Sequence, residues 1–296
     1  MAAQIIDGKA ISQVVRDEVA QEVEELKAAG VEPCLAVMLV GEDPASSVYV
    51  GMKEKKCAEV GIRAVDQRLP ADTSQEEILS ILDSWNEDPS IHGILVQLPL
   101  PDHVDEKTVM ERIRPEKDAD GFHPVNVGRL ASGDPDAFRP CTPAGVQVML
   151  KHIGYDPAGK HAVIVGRSNI VGRPMAAILS QKAPWANATV TMAHSRSQDL
   201  GAITRSADLL VVAVGWPNAV TADMVSEGTV VIDVGVNRVD DDTRERGYRL
   251  VGDVEYDAIA EKASWITPVP GGVGPMTIAM LLKNTVVAAR RLAGLA

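Results

Sequence analysis

The chain has 296 residues, with 29 basic and 41 acidic side chains and a formal net charge of -12. Hydrophobic residues make up 46% of the chain, which excludes a disordered protein, and the length suffices for two α/β domains with separate cores. A surface of this charge repels phosphate polymers, and the densest basic stretch, Lys53 to Lys56, holds only three lysines. We therefore expect no nucleic-acid partner.

Targeting and metal-binding signals are also missing from the sequence. The first residues contain no basic region followed by an apolar one, and no apolar run approaches the roughly 20 residues that a membrane helix needs. We expect a cytoplasmic protein without a membrane partner. Cys34, Cys57 and Cys141 lack metal-ligand spacing, and the six histidines form no HExxH-like cluster. This pattern predicts reduced thiols and no metal site.

The first part of the chain alternates predicted helices with apolar strands. Apolar residues recur at helical spacing over 9–29, and the run Cys34 to Val40 is typical of a strand buried on both faces. Further along, the pattern predicts a helix over about 45–60, a strand over 62–69, a helix over 74–87 and a buried strand over 93–98. This alternation predicts a parallel sheet with right-handed crossovers.

The alternation breaks between Arg114 and Pro143, where Gly, Pro and Asp are abundant and no periodicity persists. Long irregular stretches are usually linkers or functional loops, so we predict a domain boundary here. Beyond it the pattern predicts helices over 143–153 and about 275–292, and strands over 161–165, 188–193, 208–214 and 229–234, with helices between them.

The segment HAVIVGRSNIVGRP has the layout of a dinucleotide-binding turn between a strand and a helix that starts near Arg173. Gly166 and Gly172 would let the backbone approach a pyrophosphate at the helix N-terminus. Ser168 replaces the second glycine of the usual pattern, and a tight turn without a ligand remains an alternative.

The end of the following strand favours NADP over NAD. It reaches His194-Ser195-Arg196 without the acidic residue that binds a ribose 2′-hydroxyl, whereas hydroxyl and guanidinium groups, including that of Arg167, suit a 2′-phosphate. A solvated Arg196 is the alternative. The next two strands end in small residues, at 213–215 and 234–236, which would let a cofactor pass closely or would simply form turns.

Two segments of the first half carry candidate catalytic groups. Tyr49 and Lys53 are four residues apart on a predicted helix and share one face, which places an aromatic platform beside an amine. Lysine can act as a general acid or base when burial lowers its pKa, although a solvated Tyr–Lys pair is the alternative. Gln97 ends an apolar strand, where it could hold a catalytic group or cap a loop.

Two further segments suggest ligand contacts. Asp118 and Asp120 precede a glycine, and one carboxylate could accept two parallel N–H bonds from an amidine-like ring, or both could form a turn. The segment PVPGGVGPMT, residues 268–277, is a stiff loop before the last helix whose backbone amides could line a ligand.

The order of these motifs is more specific than any one of them. YVGMK, VQLPLP, KDADGFHP, RPCTPAG, GRSNIVGRP and PVPGGVGPMT closely resemble the tetrahydrofolate dehydrogenase/cyclohydrolase family, over Ile5 to about Leu292. The resemblance implies two α/β domains around a cleft. Residues 1–139 would bind folate, with the helix 276–296 returning to them, and residues 140–275 would form a Rossmann-type NADP-binding domain.

The resemblance also implies an activity. NADP would oxidise 5,10-methylene-tetrahydrofolate, and the methenyl product would be hydrolysed to 10-formyl-tetrahydrofolate, a reaction of one-carbon metabolism and purine biosynthesis. A homodimer is implied as well. The alternatives are a dehydrogenase without cyclohydrolase activity, a catalytically silent nucleotide-binding protein, and another NADP dehydrogenase with a catalytic lysine. The retained Lys53 and Gln97 argue against the first, and the intact YVGMK and DGFHP segments argue against the second.

Individual roles follow from the same resemblance. Lys53 would be essential for hydrolysis, Tyr49 would pack on the folate, Gln97 would tune the lysine, and Asp120 would bind the pterin ring. The implied substrate-binding set is Tyr49, Gln97, Leu98, Pro99, Asp120, Gly272 and Pro275, and the cofactor-binding set is Gly166, Arg167, Ser168, Ile170, Ser195, Arg196, Val214, Gly215, Val236 and Thr277. The chain departs from the family pattern at Trp216, where a basic or small polar residue is more usual, and in the longer segment QKAPWANATV.

Overall fold

A computed structural model describes residues 2–245 and 247–295. Its strands are β1 (Gln4–Ile5), β2 (Cys34–Val40), β3 (Arg63–Leu69), β4 (Gly93–Val96), β5 (His161–Val165), β6 (Thr189–Ala193), β7 (Leu209–Val212), β8 (Val230–Asp233), β9 (Asn237–Asp240), β10 (Tyr248–Val251) and β11 (Trp265–Ile266). Its α-helices are α1 (Gly8–Ala28), α2 (Pro44–Val60), α3 (Gln75–Glu87), α4 (Glu106–Arg112), α5 (Pro124–Ser132), α6 (Cys141–His152), α7 (Gly172–Ser180), α8 (Leu200–Arg205), α9 (Tyr256–Ala260) and α10 (Val273–Leu292).

These elements form two compact units. The first unit contains the chain up to residue 12 and residues 142–277, and the second contains residues 13–141 and the chain from 278 onwards. The first domain predicted from the sequence began at residue 1, whereas the described residues before 13 group with 142–277. The reason is that β1 pairs in parallel with β11, so the N-terminal strand belongs to that sheet.

The 13–141 unit is built on a parallel sheet with the strand order β3-β2-β4. The central strand β2 is buried at all seven positions, which confirms the prediction made from its continuous apolar run. Ile78, Leu82 and Trp85 of α3 pack in the same core cluster as alternate residues of β2. Aliphatic side chains dominate this core, as the low aromatic content requires.

The 142–277 unit contains a six-stranded sheet with the order β1-β11-β8-β7-β5-β6. Every pairing in it is parallel, and all four residues of β7 and of β8 are buried. The predicted α/β class with parallel sheets is therefore confirmed. The chain runs from β5 outward to β6 and then returns to β7 on the other side of β5. In such sheets the carboxyl ends of the strands on either side of this reversal form a ligand-binding crevice.

The irregular stretch predicted between Arg114 and Pro143 contains helix α5, so that prediction was wrong for 124–132. The helix is short, starts with Pro124 at its first turn and carries Gly128 in its middle, which hides its periodicity. No sequence pattern indicated the two-residue strands β1 and β11, or the antiparallel ribbon of β9 and β10.

Across residues 2–245 and 247–295, no helix combines the length and apolar character needed to cross a membrane. The same residues contain no group of three or more His, Cys, Asp or Glu side chains arranged to hold a metal ion. All three cysteines are free and buried.

Candidate active site

Lys53 is held inside the 13–141 unit by helix α2. The helix is capped by Asp43, whose side chain accepts the N–H of Ser46. Lys53 lies nearly three turns further on and is only 8% exposed. Its Nζ donates a hydrogen bond of 2.9 Å to Oε1 of Gln97. The lysine of the predicted Tyr–Lys pair is therefore buried, and a hydrogen bond fixes the position of its amino group.

Gln97 follows directly after β4, and both ends of its amide are engaged. Oε1 accepts from Lys53, while Nε2 donates to the carbonyl oxygen of Leu98 at 2.7 Å. Its backbone N–H donates to the oxygen of Met38 at 2.8 Å, which extends the sheet by one bond. The sequence left open whether Gln97 holds a catalytic group or caps a loop, and the structure shows that it bonds the buried lysine.

The environment of Lys53 shifts its protonation balance toward the neutral amine. Burial lowers the pKa of this amine, and the nearby Asp120 carboxylate opposes part of that shift. A buried amine with a lowered pKa spends more time unprotonated near neutral pH, which is what a proton acceptor requires.

The two aspartates of the DADG segment have different environments. Asp118 is 1% exposed, and its carboxylate accepts the backbone N–H groups of Gly121, Phe122 and His123 and the Nδ2 of Asn126. These four bonds fix the shape of the loop. Asp118 is thus fully used as an internal acceptor, which leaves Asp120 as the carboxylate of this segment that can face a ligand.

Asp120 lies beside the lysine site and is partly buried. The pKa of its carboxyl is raised to about 6, because burial and the Asp118 carboxylate raise it more than the Lys53 ammonium lowers it. The nearby thiol of Cys141 lowers the pKa of the Asp120 carboxyl. Lys53, Gln97 and Asp120 therefore form one electrostatically coupled group in this unit.

Sequence reasoning missed two residues beside this group. Cys141 is 2% exposed, its Sγ donates to the Ala119 oxygen at 3.4 Å, and burial together with Asp120 raises the pKa of its thiol well above the usual range. Asn284 of α10 donates to the same Ala119 oxygen at 2.8 Å and to the Arg139 oxygen at 3.1 Å. A buried amide in an otherwise apolar helix signals such a role, because buried amides need partners.

Tyr49, Leu98 and Pro99 complete the predicted substrate residues of this unit. Tyr49 lies one turn before Lys53 on α2 and is 38% exposed, so its ring is available to a flat ligand. Leu98 is partly buried and Pro99 is exposed. The oxygen of Leu98 accepts from both Gln97 and, at 3.5 Å, the Ser46 hydroxyl, which ties this loop to the start of α2.

The predicted cofactor turn lies in the 142–277 unit between β5 and α7. Gly166 has φ of +129°, and a Cβ there would lie 2.2 Å from the Ala213 oxygen. At Gly172 a Cβ would lie 2.3 Å from the Gly166 oxygen. The two backbone segments therefore touch where a side chain would otherwise separate them. The turn therefore has no side chain at either glycine and leads directly into a helix. A dinucleotide pyrophosphate can approach the backbone N–H groups of such a turn closely.

Ser168 has a structural reason to replace the usual glycine. Its Oγ accepts the N–H groups of Val171 at 3.0 Å and Gly172 at 3.4 Å, and so caps α7, whose own N-cap residue Val171 makes no side-chain cap bond. Arg167 and Ile170 of the same turn are exposed. These exposed groups are free to contact a ligand.

The turn after β6 presents Ser195 and Arg196, both exposed. His194 organises this turn, because its Nδ1 accepts the Arg196 N–H at 3.1 Å while its own N–H donates to the Ser197 hydroxyl at 3.0 Å. Strands β5 and β6 are parallel neighbours, so this turn and Arg167 lie at the same edge of the sheet. A hydroxyl and two guanidinium groups at one edge suit a 2′-phosphate.

The remaining predicted residues also belong to the 142–277 unit. Val214 and Gly215 follow β7, Val236 follows β8, and Val236 and Trp216 are each 49% exposed. In the 268–277 loop, Gly272 packs so closely that a Cβ on Gly8 would lie 1.8 Å from its oxygen, whereas Pro275 is partly exposed. The Thr277 hydroxyl bonds that of Thr142 at 2.8 Å. The predicted set therefore divides between the two units.

Two models of one known family match the chain. The model of the tetrahydrofolate dehydrogenase/cyclohydrolase catalytic domain matches residues 6–120, and that of the NAD(P)-binding domain of the same family matches residues 140–293. The bifunctional protein FolD of Moorella thermoacetica is 60% identical over 291 residues, covering 98% of this chain and all of the relative.

Solved structures give the same result. The bifunctional FolD methylenetetrahydrofolate dehydrogenase/cyclohydrolase of Campylobacter jejuni is 50% identical, with a TM-score of 0.93, and the match covers 98% of this chain and 99% of that one. The Trypanosoma brucei enzyme, solved with NADP cofactor and inhibitor, is 40% identical with a TM-score of 0.92 over 98% of both chains. Sequence, domain models and fold agree, and the chain belongs to the tetrahydrofolate dehydrogenase/cyclohydrolase family.

Proposed function

We propose that this chain catalyses two successive reactions on tetrahydrofolate. It oxidises 5,10-methylene-tetrahydrofolate with NADP, and it hydrolyses the resulting methenyl compound to 10-formyl-tetrahydrofolate. The observation that carries the proposal is the buried Lys53, with its Nζ 2.9 Å from Gln97 Oε1 and a lowered pKa. The close relatives and the NADP complex of the Trypanosoma brucei enzyme support it.

In the oxidation, the methylene carbon loses a hydride and becomes a cation shared between two nitrogens. The reaction needs positioning more than a strong base, since both nitrogens stabilise the charge. Asp120 holds the pterin ring by accepting two parallel N–H bonds, and Tyr49 packs against the ring. NADP, when bound, supplies the hydride acceptor, held by the Gly166–Ser168 turn, Ser195, Arg196 and the ends of β7 and β8.

In the hydrolysis, water adds to the methenyl carbon and the bond from that carbon to N5 breaks. The neutral Nζ of Lys53 accepts a proton from the attacking water and returns one to N5 as the bond breaks. One proton is released overall, because a cation and water give a neutral product. Gln97 Oε1 keeps Nζ at a fixed position through both transfers.

A coupled assay tests the proposal directly. Purified protein is supplied with 5,10-methylene-tetrahydrofolate and either NADP or NAD, and both the reduced cofactor and the methenyl absorbance are followed. The proposal expects faster reduction of NADP than of NAD, followed by decay of the methenyl signal. Absence of NADP reduction would refute it, and reduction with a methenyl signal that decays only at the buffer rate would leave a monofunctional dehydrogenase.

The further properties implied by family membership are proposals as well. We infer a cytoplasmic homodimer that supplies one-carbon units to purine biosynthesis and binds neither nucleic acid nor membranes. The formal net charge of -12 supports the part that concerns nucleic acid. We also assign folate binding to the unit of residues 13–141 with the chain from 278 onwards, and NADP binding to the 142–277 unit. Light scattering of the purified protein tests the dimer, for which a single species of about 31.5 kDa would be the contrary result.

A further inference from the structure

Asp253 joins the end of β7 to the start of β9 in the 142–277 unit although it lies in neither strand. It follows β10 and is fully buried. Its Oδ2 accepts the N–H groups of Val214 at 2.7 Å and Gly215 at 2.9 Å, directly after β7. Its Oδ1 accepts Nδ2 of Asn237, the first residue of β9, at 2.8 Å. Hydrogen bonds to a buried carboxylate are among the stronger ones in proteins.

The bond to Val214 also controls the contact with the Gly166 turn. The N–H of Val214 and the carbonyl of Ala213 belong to one planar trans peptide, so they point in opposite directions. The N–H faces Asp253, and the Ala213 oxygen packs over Gly166, where it would lie 2.2 Å from a Cβ. A rotation of this peptide would therefore displace the surface against which the Gly166 turn is packed.

A second buried carboxylate keeps Asp253 in place. Asp233, at the end of β8 and 1% exposed, accepts the N–H of Asp253 at 2.9 Å and of Val254 at 3.1 Å. Glycines leave the room for both acids, because a Cβ on Gly252 would lie 1.7 Å from Asp233 Oδ2 and one on Gly235 would lie 2.1 Å from Asp253 Oδ1. The segment that carries Asp253 is thus fixed on both sides.

We propose that Asp253 is a positioning residue for NADP: by holding the 213–215 peptides it keeps the Gly166 turn and the end of β7 in the shape that receives the dinucleotide. This inference rests on the proposed function, since it concerns the NADP-binding residues assigned there. Asp253 has no place among those residues, because its carboxylate is occupied by the protein's own N–H groups.

The neutral variant Asp253→Asn tests the positioning role, because it weakens the bonds that hold the 213–215 peptides without changing a residue that contacts NADP. Its side chain keeps the shape but has only one acceptor oxygen, so an NH₂ group must face either the Val214 and Gly215 N–H groups or Nδ2 of Asn237. Asn237 cannot turn its own oxygen toward position 253 without losing the 3.1 Å bond from Nδ2 to the Gly252 oxygen. The double variant Asp253→Asn/Asn237→Asp restores the bond between positions 253 and 237, because the new amide can accept from Val214 and Gly215 and donate to the carboxylate introduced at position 237. Its net charge equals that of the natural chain. It gives up the 3.1 Å bond from Asn237 Nδ2 to the Gly252 oxygen, a loss that Asn237→Asp alone shares.

Asp208→Asn is the matched control. Asp208 Oδ2 accepts the His161 N–H at 2.8 Å, next to the starts of β5 and β7, so this carboxylate also bonds a backbone amide of the same sheet. The control lies at the opposite end of the strands from the cofactor turns. We expect it to bind NADP within about twofold of the natural chain.

Three measurements decide the question. NADP affinity is measured by calorimetry without folate, hydrogen exchange of the Val214 and Gly215 amides is measured without NADP, and hydrolysis of methenyl-tetrahydrofolate is measured as a reaction that consumes no NADP. For Asp253→Asn we expect NADP affinity to fall about 10- to 100-fold, the size of one or two lost charge-assisted bonds. The two amides should exchange faster, hydrolysis should change less than about threefold, and the double variant should recover at least tenfold of a 100-fold loss.

Asp253→Asn with NADP affinity within twofold of the natural chain would overturn the proposal. So would equal losses of NADP binding and hydrolysis, which indicate general damage to the fold. If the single variant does not fold, the double variant is compared with Asn237→Asp, which shares the lost Gly252 bond. Tighter NADP binding by the double variant supports positioning, and equal or weaker binding overturns it. The proposed function fails separately, through a natural chain that does not reduce NADP.

Discussion

Replacing Gly166 by alanine is the sharpest test of the cofactor turn, because the added methyl group causes both backbone strain and a steric clash. The backbone φ of +129° lies in a region that side chains with a Cβ rarely adopt. The added Cβ would also lie 2.2 Å from the oxygen of Ala213. That oxygen belongs to a peptide whose N–H side is bonded to Asp253, so it cannot move without breaking the bond to Val214.

The expected cost follows from these two effects. Backbone strain at such a residue costs about 1–3 kcal/mol, and forcing an extra methyl group into packed backbone costs about 1–3 kcal/mol more. If half of this total cost, about 1–3 kcal/mol, acts on the NADP-bound shape of the turn, NADP affinity should fall by about 5- to 150-fold, since 1.4 kcal/mol is a tenfold change in an equilibrium constant. Hydrolysis of the methenyl substrate should persist, because Lys53 and Gln97 lie in the other unit.

Gly154→Ala supplies the matched control. Gly154 has φ of +71°, and a Cβ there would meet nothing within 4 Å. It therefore adds backbone strain without the clash, in the turn after α6. We expect both variants to melt below the natural chain, and only Gly166→Ala to lose NADP affinity measured by calorimetry.

The reasoning fails if Gly166→Ala binds NADP within twofold of the natural chain while remaining folded. It also fails if Gly154→Ala lowers NADP affinity by the same factor, because backbone strain anywhere in the unit would then explain the loss. A parallel loss of methenyl hydrolysis in Gly166→Ala would show that the effect is not confined to the cofactor turn.

The remaining predictions concern the lysine site. Lys53→Met should reduce methenyl hydrolysis by about 10²- to 10⁴-fold, the usual contribution of a positioned acid–base group, and leave NADP affinity within twofold; undiminished hydrolysis would disprove the assigned role. Gln97→Glu places a carboxylate against Lys53 and should raise the pKa of its amine, so the pH profile of hydrolysis should move to higher pH, and an unmoved profile would contradict the role of this bond in tuning the lysine. The raised pKa of Asp120, about 6, means that the carboxylate is lost as the pH falls through 6; the KM for folate should rise up to about tenfold per pH unit below that value, and in Asp120→Asn this rise should disappear.

Long apolar strands and local motifs could be predicted from the sequence for one physical reason: their signal is contained in a few consecutive residues. The run CLAVMLV specifies a strand buried on both faces, and it is the central strand of its sheet. The strand–turn–helix order around Gly166 is also contained in consecutive residues, although the contact with the Ala213 oxygen that requires a glycine there is not. Such features need no knowledge of distant contacts.

The features that escaped prediction depend on contacts between distant residues. Strands β1 and β11 are two residues long, and their pairing joins Gln4 to Trp265. Asp118 and Asp120 are adjacent in motif and alike in chemistry, yet only the folded loop shows that Asp118 accepts four internal N–H bonds. Asp253 lies 38 residues from Gly215, so no local pattern reveals their bond.

The net charge of -12 does not conflict with the binding of two anionic ligands, as the positions of the individual acidic residues show. Asp118, Asp233 and Asp253 are buried, and each uses its carboxylate to accept N–H groups of the chain, so they act as internal acceptors. Charges on the surface are screened over about 8 Å at physiological ionic strength, so remote acids contribute little at the cofactor turns. Arg167 and Arg196 are exposed at the carboxyl edge of β5 and β6, within reach of a ligand there. Recognition of the anionic cofactor therefore depends on which groups lie at that edge and hardly on the sum of charges over the chain.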